Sequence, residues 1–258
     1  MTDGITNSVL PDAKGQPAVV LLSGGLDSTT VLALAKAAGY RCHCLSFRYG
    51  QRHTQELELA RANARHWGAA RHLILNIELD AIGGSALTGD ELEVPKDNLS
   101  PLDSPDGAET DAPGMAGEVP VTYVPGRNTI FLAYAASWAE VLGARDIFIG
   151  VNAVDFSGYP DCRPDYLEAL AAALNLGSQC GREGRPFRLQ APLLHLSKAE
   201  IIAKGLALGV DYARTHSCYD PDQQHRACGR CDACILRRRG FAAAGCPDPT
   251  TYQPARSE

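Results

Sequence analysis

The stretch Ala18-Val19-Val20-Leu21-Leu22-Ser23-Gly24-Gly25-Leu26-Asp27-Ser28-Thr29-Thr30-Val31-Leu32 decides the fold. Its first five residues are apolar and partly β-branched, which reads as a short buried strand. Ser23-Gly24-Gly25 breaks that run. From Asp27 onward Val31, Leu32, Leu34 and Ala35 recur at helical spacing, so a helix over 27–38 follows. Working outward, the pattern predicts strands over 41–47, 72–77, 146–151 and 187–190, and helices over 54–67, 128–142 and 165–174. Ser197-Lys198-Ala199-Glu200 has the spacing of a capping box and opens a further helix, to about 208. Strands alternating with helices imply an α/β fold: a doubly wound, mostly parallel sheet with helices on both faces. Residues 83–120 interrupt the rhythm with Gly, Pro, Ser and Asp, and read as an irregular lid or insertion. Residues 1–17 read as a flexible polar lead-in, 18–213 as the main domain, and 214–258 as a separate cysteine-rich unit.

Composition narrows the function. Lys plus Arg is 24 and Asp plus Glu 30, so the formal charge over 258 residues is −6. A general nucleic-acid binder would carry a basic footprint instead. With 45% hydrophobic and 21% charged residues the chain is an ordinary globular one. No run approaches the ~18 apolar residues of a membrane span, and residues 1–17 lack the basic-then-apolar start of a signal peptide. A cytoplasmic protein is expected. Nine cysteines are an odd count, and a disulfide framework does not suit a reducing compartment.

Four of those cysteines crowd together: Cys218, then Cys228-Gly229-Arg230-Cys231-Asp232-Ala233-Cys234. Each Cys-x-x-Cys step lets neighbouring sulfurs reach one ion, and four thiolates favour tetrahedral Zn²⁺. Four protein ligands leave no open position, so one structural zinc per chain is expected. Reduced cysteines without metal, or an iron–sulfur cluster, are the alternatives. Arg226, Arg230 and Arg237 to Arg239 are candidates to offset the charge of such a site.

The Ser23–Ser28 loop sits between the first strand and first helix, where open parallel sheets bind ligands. Two glycines admit an anion close to the backbone, and the helix start supplies amide donors and a positive dipole end. Asp27 would repel phosphate unless Mg²⁺ lies between them. The bland alternative is a glycine turn with Asp27 or Ser28 as a helix cap. No Lys follows the glycines, so this is not a Walker motif.

The loop resembles the PP-loop of the ATP-pyrophosphatases, an adenine nucleotide alpha hydrolase-like fold whose members grip the pyrophosphate of ATP and transfer AMP. That resemblance makes Leu22, Ser23, Gly24, Gly25, Leu26, Asp27, Ser28, Thr29, Thr30, Val31 and Leu32 the expected ATP-binding segment. The likeness extends further. The loop, Tyr49-Gly50-Gln51-Arg52-His53, Val124-Pro125-Gly126-Arg127-Asn128-Thr129, residues 155–164, Ser197 to Glu200 and Ser217-Cys218-Tyr219 through Arg237 occur in the order seen in the 7-cyano-7-deazaguanine synthase family. The similarity runs from about Val19 to Tyr252, and Tyr159-Pro160-Asp161-Cys162-Arg163 is its most specific part.

Membership of that family would imply conversion of 7-carboxy-7-deazaguanine, ammonia and ATP to the nitrile, in queuosine and deazapurine biosynthesis. Its partners would be these small molecules, with no direct contact to nucleic acid or membrane, and a homodimer is compatible with it. Arg127 or Arg163 would clamp the carboxylate, and Asp155 or Asp161 the guanine-like donors. Asn128, Phe156 and Tyr159 would complete the substrate pocket, while Arg48, Gln51, Arg52, His53 and Lys198 would face the phosphates. Cys162 reads as a packed thiol, since ATP activation makes a protein nucleophile unnecessary, and no proton-transfer residue is assigned. The loop implies AMP and pyrophosphate as products, whereas the family's reaction is written with ADP and phosphate; both stay open. Two rivals also stay open: a PP-loop enzyme modifying tRNA directly, and a zinc-containing RNA-binding protein.

Overall fold

The computed structural model describes residues 5–6, 10, 12–51, 55–89, 91–98, 119–153 and 158–254. Six strands are formed: β1 (Ile5–Thr6), β2 (Pro17–Leu21), β3 (Arg41–Arg48), β4 (Arg71–Asn76), β5 (Asp146–Phe148) and β6 (Arg188–Gln190). They lie in the order β1-β6-β5-β2-β3-β4, and every neighbouring pair is parallel. The sheet is thus more uniform than the mostly parallel one expected. Its helices are α1 (Leu26–Ala37), α2 (Gln55–His66), α3 (Arg127–Leu142), α4 (Pro164–Leu176), α5 (Gln179–Arg182), α6 (Lys198–Ala207) and α7 (Asp232–Ala243).

Side chains alternate across each strand, so one sheet serves two cores. Ala18, Val20, Cys42, Cys44 and Phe148 pack against α1, α2, α6 and α7, with Leu32, Ala60, Ile201, Ile202 and Phe241. Val19, Leu21, Leu45, Phe47 and Ile147 face the other way, toward Leu132, Ala135, Ala139 and Leu167 of α3 and α4. Double burial explains why β2 reads as a continuous apolar run. The expected capping box is present: Ser197 Oγ accepts from the Glu200 amide at 3.3 Å, and Glu200 Oε2 accepts from the Ser197 amide at 2.8 Å.

Three segments differ from expectation. Ile5 and Thr6 pair with Leu189 and Gln190, so part of the lead-in extends the sheet. The described part of the insertion is docked rather than lid-like, and Leu79 joins it from just before. There Ala86, Leu87 and Val94 are buried with Cys218, Cys231, Cys234 and Ala227 in a third apolar cluster. The cysteine-rich tail is likewise continuous with the main body, because Phe241 enters the first core. There Arg237 donates to Asp248 at 3.0 Å, to Thr215 at 2.8 Å and to the Tyr212 carbonyl at 2.9 Å, all under cover from solvent.

Candidate active site

The chain leaves β2 and runs to the β3–β4 side of the sheet, then returns through β5 and β6 on the opposite side. The crevice where these directions part, beyond the carboxyl ends of β2 and β5, is where such sheets bind ligands. A cavity of about 270 Å³ lies there. Leu22, Ser23, Gly25, Leu26, Asp27 and Ser28 line it from the loop; Phe47, Tyr49, Gln51 and Glu56 from β3 and α2; Arg127, Asn128 and Phe131 from α3. Gly150 and Asn152 follow β5, and His216, Ser217, Cys218 and Tyr219 come from the start of the cysteine-rich tail.

The loop is held by contacts that no local reading could supply. Gly24 has φ +90°, and a Cβ there would stand 2.2 Å from the Glu56 carbonyl of α2. Only glycine fits that approach. A Cβ on Gly150 would stand 3.1 Å from the Ser28 amide, so β5 also closes on the head of α1. The His216 amide donates to the Gly24 carbonyl at 3.1 Å. Ser23 and Ser28 hydroxyls meet at 2.9 Å. No side chain caps α1, whose N-cap is Gly25, so its first amides face the cavity end of the loop with the positive end of the helix dipole.

Two of the expected residues meet each other here. Asp27, expected to act through Mg²⁺, receives Lys198 Nζ on both carboxylate oxygens, at 2.9 and 3.0 Å. Lys198, expected on the phosphates, forms that pair here, its stem lying against Gly240 of α7. Both still line the cavity. Thr29, Thr30, Val31 and Leu32 turn into the protein rather than toward the ligand space: Thr30 Oγ1 meets Tyr212 Oη at 2.8 Å, and Val31 and Leu32 are core residues.

Phe47 and Phe131, also in the lining, stack flat on each other, 4.1 Å apart with an interplanar angle of 8°, and give the cavity an aromatic wall. Arg127 stands beside them. Burial works against its charge, but the phenols of Tyr49 and Tyr219 and the Asp161 carboxylate outweigh that, so the guanidinium stays charged. Burial also pushes the phenols of Tyr49, Tyr159 and Tyr219 up, which keeps them as neutral hydrogen-bonding groups. Asn128 lines the cavity and donates to the Asp161 carbonyl at 3.1 Å.

The remaining expected residues divide. Arg163 is 62% exposed and paired with Asp165 at 3.4 Å, outside the cavity lining, so Arg127 alone of the two arginines reaches the site. Asp161 accepts the Asn128 amide at 3.1 Å and anchors the head of α3 instead of lining the cavity. Arg48 is exposed at the end of β3. Arg52, His53, Asp155 and Phe156 lie outside the described residues. Cys162 is at the wall, with burial pushing its thiol up to about 12, which suits a packed thiol and not a nucleophile. Sequence reasoning missed Glu56, Phe131, Gly150 and Tyr219. Glu56 looked like an ordinary acidic residue in a helix's first turn, and only burial distinguishes it.

Cys218, Cys228, Cys231 and Cys234 place their sulfurs within 4.8 Å of one another and could hold a metal ion. Tetrahedral Zn–S bonds of about 2.3 Å require sulfurs about 3.8 Å apart, and the Cys228–Cys234 and Cys218–Cys231 separations are 4.0 Å. The donor set therefore fits zinc. Five amides aim at the sulfurs: Asp220 and Cys228 at Cys218, Tyr219 at Cys231, and Arg230 and Cys231 at Cys228, all at 3.2–3.5 Å. Of the arginines expected to offset the thiolates, Arg237 pairs with Asp248 and Arg226 with Asp222, Arg238 lies over the Tyr252 ring, and Arg230 pairs with Asp97 while also feeling the charge of Cys228. Lys96, from the docked insertion, also contacts Cys228.

No helix among the described residues is long and apolar enough to cross a membrane. Comparison with known proteins places the chain among relatives. It is 57% identical over 236 residues to the 7-cyano-7-deazaguanine synthase of Geobacter metallireducens, covering 91% of this chain and 92% of that protein. The synthase of the same name from Thiobacillus denitrificans is 58% identical over 235 residues, covering 91% and 97%. A family described as queuosine biosynthesis protein QueC matches residues 17–245, and the chain belongs to that family.

Proposed function

We propose that this chain converts 7-carboxy-7-deazaguanine to 7-cyano-7-deazaguanine with ammonia and ATP. One observation carries the reading: a single cavity is lined both by the loop and by an aromatic pair with a charged Arg127. Such a space seats a nucleotide and a planar acid with their reacting groups between them.

In this reading Ser23, Gly25 and Ser28 hold the pyrophosphate of ATP, Phe47 and Phe131 receive the heterocycle, and Arg127 takes the carboxylate. Asp27 either keeps Lys198 or exchanges it for Mg²⁺ when the nucleotide enters. Cys218, Cys228, Cys231 and Cys234 hold one zinc, which has no open position and serves the fold. A carboxylate on an electron-rich ring is a poor electrophile, so its oxygen must first become a leaving group. A loop that cradles pyrophosphate favours transfer of AMP. One activation and one ammonia attack give only an amide. The amide oxygen is then activated in turn, and its departure leaves the carbon–nitrogen triple bond. The acid and amide are nearly isosteric, so one pocket serves both rounds, and two ATP are consumed per nitrile. The substrates are small molecules, the compartment is the cytoplasm, and no nucleic-acid contact is needed.

Mass spectrometry of products from the carboxylate, ammonium and Mg-ATP tests the reading. Nitrile with amide as an intermediate is the expected result. Absence of both products, or tight salt-dependent binding of tRNA, would favour a tRNA-modifying enzyme or an RNA-binding protein.

A further inference from the structure

The chemistry just proposed strips protons from nitrogen several times, and the described lining offers two carboxylates, Asp27 and Glu56, and the His216 imidazole as its ordinary bases. Lys198 Nζ and Asp27 are paired with each other. Asp161 lies outside the lining and holds the head of α3. The Cys162 thiol and the three phenols are held protonated by burial. Glu56 differs from all of these. It stands in the first turn of α2, lines the cavity, and forms no ion pair and no side-chain hydrogen bond among the described residues. Its backbone carbonyl lies against Gly24, so its position is coupled to the loop.

We infer that Glu56 is the general base of the reaction, receiving the protons that leave nitrogen during amide and nitrile formation. The inference rests on the proposed function. In the first round ammonia's lone pair forms the carbon–nitrogen bond. The carbon–oxygen bond then breaks, with its electron pair leaving on AMP, and the ammonium-like nitrogen gives one proton to the Glu56 carboxylate. In the second round the amide oxygen displaces pyrophosphate from ATP and nitrogen loses a proton, giving an imidate. The last nitrogen proton then leaves to Glu56, its N–H electron pair becomes the second carbon–nitrogen π bond, and the carbon–oxygen pair departs with AMP. Glu56 returns each proton to solvent between steps.

The electrostatics suit the task. Burial pushes the Glu56 carboxyl up to about 7, and Arg127 pulls it back only in part. Among the described residues Arg127 on α3 is the charged group acting on it, and Glu56 in turn acts on the Tyr49 phenol after β3, itself pushed up by burial. A base titrating near the working pH maximises the product of ionised fraction and proton affinity.

The test compares wild type, Glu56→Gln and Glu56→Asp in two half-reactions, with thermal melts to confirm folding. Conversion of supplied amide to nitrile by Mg-ATP needs no ammonia and so joins activation to proton loss from nitrogen without ammonia attack. There Glu56→Gln should lower kcat about 10²- to 10³-fold with KM for amide little changed, and Glu56→Asp should recover part of the rate. Wild-type kcat should rise with pH through about 7, and that limb should vanish in Glu56→Gln. Pyrophosphate release from the carboxylate and Mg-ATP without ammonia should stay within about threefold of wild type, because activation removes no nitrogen proton. A Glu56→Gln enzyme that converts amide at the wild-type rate with the limb intact would overturn the inference alone, and so would equal slowing of both half-reactions. A wild-type enzyme that neither releases pyrophosphate nor converts amide would overturn the proposed function with it.

Discussion

Two short stretches of this chain aim backbone amides at negative charge, and they do so to opposite ends. In the cysteine hook the amides of Tyr219, Asp220, Cys228, Arg230 and Cys231 point at sulfurs of the chain itself. In the Ser23–Ser28 loop the head of α1 points its amides into a cavity. Where the chain supplies its own anions the stretch braces itself, and its four thiols could hold a metal ion. Where the anion comes from a ligand, the loop must be braced from outside. Gly24 against α2, Gly150 against α1 and Lys198 on Asp27 are those braces. The two stretches also touch, since His216 donates to the Gly24 carbonyl and Cys218 and Tyr219 line the cavity.

That contact makes the largest prediction. Cys231→Ser should abolish zinc binding and lower Tm by more than about 10 °C, because metal binding and folding are linked in such sites. It should also weaken ATP binding, since residues 216–219 form one wall. Metal analysis, calorimetry and nucleotide titration check all three. ATP affinity unchanged in the zinc-free protein would show that the two stretches are energetically separate.

Next in size is the contrast between the adjacent glycines. Gly24→Ala places a Cβ 2.2 Å from a backbone carbonyl at φ +90°, and should cost about 3 kcal/mol or more from strain and displacement of α2. Gly25→Ala meets its nearest atoms at 3.3 Å, so stability should change by less than about 1 kcal/mol while ATP binding weakens. Chemical denaturation with parallel nucleotide titrations separates the two. Equal destabilisation by both would mean that the loop's shape, and not its contact with α2, is what glycine protects.

Lys198→Met tests the third brace. It leaves the Asp27 carboxylate half-buried without its cation and should cost about 1–3 kcal/mol, below the figure for a fully buried pair because Asp27 retains some water. Asp27→Asn together with Lys198→Met should restore most of that. A double variant no more stable than Lys198→Met would show that Lys198 acts through its packing against Gly240 instead. The smallest effect belongs to Arg230 and Asp97, which pair at 2.7 Å but are 52% and 56% exposed. Arg230→Ala should leave the denaturant midpoint nearly unchanged and zinc affinity within a few-fold, as a denaturant melt and competitive chelation would report. A large loss of zinc would mean that side-chain charge, and not the backbone amides, balances the thiolates.

Much of this was legible in the chain. The β2–loop–α1 unit, the capping box at Ser197 and the cysteine spacing are written in residues a turn or two apart, and the parallel order follows from their alternation. Other features carried no local mark. Ile5–Thr6 is too short to show a period, and α5 spans only Gln179–Arg182. The insertion looked like a lid because its composition is loop-like, yet Ala86, Leu87 and Val94 found a hydrophobic partner in the cysteine hook.

The sequence by itself determined the repeating architecture, the loop and the four thiolates, because periodicity, turns and short-range ligand spacing depend on contacts between near neighbours. Only the tertiary structure decided which charges are used and which are free to react. It paired Asp27 with Lys198 across 171 positions, sent Arg163 outward while Arg127 stayed at the cavity, and turned Glu56 inward without an ion-pair partner among the described residues. The state of a carboxylate depends on the water it loses and the cations brought near it. Both are properties of distant segments packed together, and no local pattern of residues encodes them.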